Sequence, residues 1–267
     1  MHYSETKPHG FSEHFVKLYW ELSYSLNEMS GPEPVLPNGC VEIIFDFRDR
    51  FVTYHSGCVA ETQPRSIVAG QLTSRLVIGP SGETDMFGVR LRSESAFSLL
   101  GISMFEIRDQ IVDLHDVLGA VEDELFEKLA VANGFNERIE VFEKYLFTFN
   151  VRPVSAELSG CISALRMTNG AKQISHCAGD MQWSERRLER TFNEQIGLSP
   201  KLFARIIRFQ SLLANAAKDN LTLLDNAFAA GYYDQSHMIR DFRNFAGVTP
   251  MEYFGRDLML SGLFVDA

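Results

Sequence analysis

The sequence predicts an α+β protein in two parts. A small β-barrel-like or sandwich domain with flanking helices comes first, followed by an all-α domain of two helix-turn-helix units. Three observations carry this. Short runs of alternating apolar and polar residues, punctuated by Gly, Pro, Ser and Asp, fill the chain as far as Arg92. A fifty-residue internal repeat occupies the C-terminal part. The charge also divides: of 25 Lys+Arg and 35 Asp+Glu, residues 1–154 hold 13 and 23, while residues 155–256 hold 12 and 10.

The first segment, Phe11–Tyr24, places Phe15, Leu18, Tyr19 and Leu22 at helical spacing and fits either a short helix or an edge strand. The stretch GPEPVLPNGC is a proline-rich approach ending in an Asn-Gly turn. It leads into CVEIIFDF, where Val41, Ile43, Phe45 and Phe47 define one strongly apolar strand face. Four more strand candidates follow: FVTYHSG, SIVAGQLT, RLVIGP and DMFGVRLR. Beyond Arg92 the pattern turns helical. Phe97, Leu99, Leu100 and Ile102, then Ile107, Ile111 and Leu114, predict short helices against the strands. Glu122–Ala132 predicts another, and Asn136–Phe149 a longer one with Ile139, Phe142, Leu146 and Phe149 along one stripe. That stripe reads either as intradomain core or as a dimer interface. Arg152-Pro153 marks the hinge, giving domains at 1–151 and 154–256 and a tail at 257–267.

The repeat is clearest in Gly231–Phe254, GYYDQSHMIRDFRNFAGVTPMEYF. Asp234 sits where an N-cap belongs. Met238, Phe242 and Phe245 form an apolar stripe, Gly247 stops the helix, and Thr249-Pro250 starts another. Fifty residues upstream, Ser184 matches Asp234, Leu188 matches Met238, Arg190 matches Arg240 and Phe192 matches Phe242. Gly197, Ser199-Pro200 and Phe203 complete the register, and Trp183 falls against Tyr233.

Two such units joined by a long helix, roughly Pro200–Ala217, and ending in Gly-x-(Ser/Thr)-Pro-x-x-Tyr/Phe, resemble the DNA-binding domain of AraC-type transcription regulators. In the first unit Cys177, Gly179 and Gln182 depart from that pattern, Gln182 standing in place of the usual turn glycine. The stretches LPNGCVEIIFDF and VAGQLTSRLVIGPSGETDMFGVRLR, with the helix near Ser95, resemble the β-barrel sensor domains that precede such units. The resemblance implies a cupin-like sensor and dimerisation domain, double-stranded DNA as partner, and a homodimer whose interface includes Ile139, Phe142, Leu146 and Phe149. It also implies RNA polymerase as a further partner and a small effector of unknown identity.

The second helix of each unit is expected in the major groove, its N-terminal turns on base edges. Base contacts fall to Arg186 and Arg190 in the first unit, and to Gln235, Ser236, His237 and Arg240 in the second. Arginine suits guanine and glutamine suits adenine. Glu185, Glu189 and Asn193 also face outward, and an ion pair among these charges is the plainer role for the first unit's arginines. Arg187, Lys201, Arg205, Arg243 and Asn244 are phosphate candidates. The net charge of residues 155–256 is only +2, which predicts moderate affinity and a shallow salt slope.

Other classes fit poorly. No run approaches the roughly 20 apolar residues of a membrane span, and no secretory signal is visible, so a cytoplasmic protein is expected. Cys40, Cys58, Cys161 and Cys177 form no C-x-x-C and read as reduced, buried thiols. His55 and His115 stand apart, so neither a metal nor another cofactor is expected. Glu42 and Asp46 share a strand face, but no nucleophile or phosphate loop accompanies them, so an enzyme is not expected. The alternatives are a ligand-binding module acting through a protein partner and a β-barrel enzyme with a degenerate DNA-binding appendage.

Overall fold

The computed structural model describes residues 1–25, 31–55, 60–149, 151–218 and 222–256. Cys58 and the tail 257–267 lie outside them. The N-terminal part is three-layered. Its middle layer is a six-stranded antiparallel sheet in the order β1 (His2–Thr6), β2 (Val16–Tyr24), β9 (Thr84–Leu91), β4 (Glu42–Asp46), β7 (Ser66–Ala69) and β10 (Ile111–Asp113). A four-stranded sheet covers one face, in the order β3 (Glu33–Val35), β8 (Leu76–Pro80), β5 (Phe51–Tyr54) and β6 (Ala60–Thr62). Neither sheet closes on itself, so the expected barrel-like domain is built as two open sheets.

Strand alternation explains the layering. Val41, Ile43 and Phe45 point to the other face of the large sheet, where they are fully buried with Tyr19, Phe87 and Val89. There they meet α1 (Ala96–Leu100), α2 (Leu114–Leu118), α3 (Ala120–Ala130) and α4 (Phe135–Leu146). Glu42, Ile44 and Asp46 face the second sheet instead, beside a separate cluster of Trp20, Leu22, Tyr24, Phe51 and Met86. Phe11–Tyr24 resolves as a 3-10 turn, Gly10–His14, followed by β2, so most of it is a strand, but an interior one paired with β1 and β9 rather than the edge strand expected. Ile111, expected in a helix, lies in β10 because the edge of β7 supplies its backbone partners. Strands β1, β3, β6 and β10 are too short or too polar to register in the pattern.

The C-terminal part comprises α5 (Ala156–Met167), α6 (Ile174–Asp180), α7 (Glu185–Ile196), α8 (Pro200–Lys218), α9 (Leu223–Ala229), α10 (Gln235–Ala246) and α11 (Pro250–Phe254) around one core. The 19 residues of α8 make a rod of about 28 Å joining the two units. The two parts are not loosely tethered. Leu36 is buried in the C-terminal core, Gln210 on α8 donates to the Pro37 carbonyl at 2.7 Å, and Arg166 donates to the Ser93 hydroxyl at 2.9 Å. Among the described residues no helix is long and apolar enough to cross a membrane.

Candidate nucleic-acid interface

Helices α7 and α10 begin on caps that the sequence specified. Ser184 accepts from the Arg187 N–H at 3.2 Å, and Asp234 accepts from the His237 N–H at 2.7 Å. Both end on glycines in the left-handed region, Gly197 at φ 84° and Gly247 at φ 70°. Ahead of α11, Thr249 and Glu252 form a reciprocal capping box. Leu188, Phe192 and Ile196 bury one face of α7, and Phe192 meets Phe203 edge to face at 5.9 Å. Met238, Phe242 and Phe245 do the same for α10, with Phe209 5.2 Å from both phenylalanines.

The opposite faces stay open. Arg186 and Arg190 on α7, and Gln235, Ser236 and Arg240 on α10, are exposed, and His237 is half-buried. None of Arg186, Arg190 and Arg240 forms an ion pair with a described residue, so the surface pairs with Glu185 and Glu189 are not made. Asn193 is partly buried and donates to the Glu189 carbonyl. Lys201, Arg243 and Asn244 are exposed, and the Arg187 guanidinium lies 4.1 Å over the Trp183 ring.

Arg205 is placed differently from expectation. Its Nε and Nη2 both donate to Asp241 Oδ1, at 3.0 and 2.7 Å, and Asp241 is 1% exposed. That bond ties α8 to α10, so the guanidinium is committed to a buried carboxylate rather than to phosphate. The register of the two units also shifts by one residue ahead of the caps. Trp183 N–H donates to the Ala178 carbonyl and Tyr232 N–H to the Ala227 carbonyl, so Trp183 corresponds to Tyr232, not Tyr233. Gln182, at φ 53°, occupies the left-handed turn position that Gly231 fills in the second unit. Tyr233 is therefore an insertion, 88% exposed at the start of α10. The fifty-residue spacing therefore holds from the caps onward, while the turn residues Gln182 and Gly231 are 49 apart.

Other candidates resolve into structural roles. Phe142 and Leu146 are buried within the N-terminal core, and Ile139 and Phe149 pack against it half-covered, because the stripe of α4 faces the large sheet. Glu42 accepts from Arg90 Nε at 2.8 Å, Trp20 Nε1 at 2.8 Å and Asn38 Nδ2 at 3.3 Å. Asp46 has a different environment, where burial first and nearby Asp85 second raise its carboxyl to about 7. Only Glu42 of the two lines the cavity between the sheets, so the pair does not converge. His115 lies near Glu122 and Asp123, contrary to its isolation in sequence, but Arg65 already supplies the cation there, 2.7 Å from Asp123. Cys40, Cys161 and Cys177 are buried free thiols, and burial pushes Cys161 up to about 12.

A small cavity of about 70 Å³ lies between the two sheets. Trp20, Ile44, Phe51 and Met86 line it from the sheets, and Leu36 and Asn38 wall it on the side that reaches α8. The N-terminal part also touches the C-terminal end of each outward-facing helix. Met104 N–H donates to the Glu194 carbonyl at 2.9 Å, and Arg75 donates to the Ala246 carbonyl at 3.3 Å. The N-terminal turns of α7 and α10 are left uncovered.

Comparison with known proteins agrees with this division. Residues 177–256 match the model of a helix-turn-helix domain family, and residues 4–113 match a domain of unknown function, DUF6597. No curated protein matches the sequence significantly. Among solved structures, ToxT from Vibrio cholerae superposes with a TM-score of 0.50 at 12% identity, over 89% of this chain and 98% of that one, and shares the fold. ToxT with a bound unsaturated fatty acid gives 0.46 at 13% identity, over 88% and 94%. The AraC-like transcriptional activator CuxR gives 0.27 at 14% identity, over 80% and 87%.

Proposed function

We propose that this chain, whose C-terminal part is an AraC-type helix-turn-helix domain, is a sequence-specific transcription regulator. Helices α7 and α10 would lie in successive major grooves on one face of the duplex, about 34 Å apart. The carrying observation is that Arg186, Arg190, Gln235, Ser236 and Arg240 project from the uncovered N-terminal turns of two capped helices, their arginines unpaired among the described residues. Arg186, Arg190 and Arg240 read guanine, and Gln235 reads adenine. Ser236 and His237 complete the second reading head. Arg187, Lys201, Arg243 and Asn244 hold phosphates, joined by Tyr233, while Arg205 is withdrawn from that group by its bond to Asp241.

The small positive charge of the domain favours a homodimer, which doubles the phosphate contacts. The regulator acts in the cytoplasm, with RNA polymerase as a further partner, and is not an enzyme. The cavity between the sheets serves as the effector site. Its wall, Leu36–Cys40, continues into the C-terminal core and the Gln210 bond, which gives an occupant a path to α8. Selection of fragmented genomic DNA by the purified chain, beside Arg240→Ala, tests the proposal. The wild type should recover a shared motif and the variant a motif degenerate at one base pair. Recovery of the same unstructured pool by both would overturn it.

A further inference from the structure

The lining of the cavity restricts what can enter it. Eleven of its described lining residues are Trp, Phe, Met, Leu, Ile or Val on the two sheets and their connections, plus Leu36 on the interdomain wall, and none is Lys, Arg or His. Its one carboxylate, Glu42, is already balanced. Arg90, 2% exposed, donates from Nε at 2.8 Å, while Trp20 and Asn38 donate to the same carboxylate. A carboxylate ligand would meet Glu42 with no lining cation to hold it. An ammonium ligand would compete with Arg90, Trp20 and Asn38 for a buried carboxylate that already accepts three hydrogen bonds, and would add a second cation beside it. Either charge is therefore disfavoured. Polar recognition falls to side-chain amides. Gln63 donates its N–H to Thr53 Oγ1 at 3.0 Å, leaving its carbonyl oxygen to accept, and Gln110 is exposed at the mouth. The volume of about 70 Å³ is far below the roughly 300–1,000 Å³ of drug-sized sites.

We infer that the cavity takes a small, uncharged, predominantly apolar molecule carrying one hydroxyl-type donor, a short chain rather than a ring, since about 70 Å³ is below the roughly 150 Å³ that encloses benzene. This rests on reading the cavity as the effector site. The test uses 1-hexanol, hexanoate and hexylammonium, alike in chain and different in charge, against the full chain at neutral pH. Trp20 lines the cavity, so its emission in a Trp183→Phe background reports entry. Hexanol should bind saturably and at least about tenfold more tightly than either ion. Ala69→Phe, which fills the cavity, should abolish binding. Gln110→Lys, an exposed change at the mouth, should bring hexanoate up towards hexanol. Equal or tighter binding of hexanoate by the wild type, or entry by none of the three, would overturn the inference. Retention of genomically selected DNA separates this from effector control. If hexanol binds without altering retention, effector control fails and the ligand class stands. If hexanoate alone binds and alters retention, the class fails and effector control stands.

Discussion

Asp241 shows how one side chain changes the meaning of another. In sequence it is an acidic residue on a helix that also carries two outward arginines, and Arg205 is a basic residue on a long connecting helix. Burial of Asp241 to 1% makes a partner obligatory; Arg205 hydrogen-bonds its Oδ1, and His237 Nε2 lies 3.8 Å from its Oδ2. Arg205→Ala should therefore destabilise the helical domain by roughly 3 kcal/mol, through the uncompensated carboxylate. Thermal unfolding would show this in the absence of DNA, whereas a mere phosphate contact would leave the transition unmoved. Asp46 gives a pH signature. Its carboxyl is raised to about 7, so between its unfolded value of 3.8 and about 7 the folded state holds more protons than the unfolded one. This contribution to stability is full below the unfolded value and is lost as pH rises through 7. Its slope is at most roughly 1.4 kcal/mol per pH unit. Asp46→Asn should flatten that part of the stability–pH curve and raise the unfolding temperature in mild alkali. An unchanged curve would mean that Asp46 titrates normally. Gln182 holds a left-handed conformation at φ 53°. Gln182→Gly should thus gain up to about 1 kcal/mol in chemical denaturation.

At the scale of elements, the helical half could be read in detail because its signals are local. A cap, a stripe at spacings of three and four, and a stopping glycine each act within a few turns, and Ser184, Asp234, Thr249, Gly197 and Gly247 all take those roles. The strand-rich half was readable in its long apolar runs, such as Val41–Phe45, and not in β1, β6 or β10. Those edges exist because a neighbour offers backbone partners, which no local pattern encodes. The stripe on α4 was visible, but its direction was not, since core and dimer interface demand the same residues. The two proposed contact classes, base contacts on α10 and a phosphate contact on α8, separate experimentally. Arg240→Ala should lose about 1–3 kcal/mol of discrimination at one base pair. Lys201→Ala should weaken binding evenly across sequences and reduce the salt slope by about 1, as titrations at several salt concentrations would reveal.

For the whole molecule, the decisive arrangement is long-range. Leu36 sits in the core of the other domain, Gln210 bonds Pro37 across 173 positions of sequence, and Arg75 and Met104 contact the ends of α10 and α7. None of these pairings has a sequence signal, because each joins segments whose local patterns are complete without the other. Their consequence is that the helix ends facing the N-terminal domain are occupied while the N-terminal turns proposed to read bases are free. The central claim is that both units read the same duplex. Hydroxyl-radical footprinting on a genomically selected site tests it most directly. Two protected windows on one face of the helix, about 10–10.5 base pairs apart, with Arg190→Ala fading one and Arg240→Ala the other, are the expected result. A single window that fades only with Arg240→Ala would contradict it.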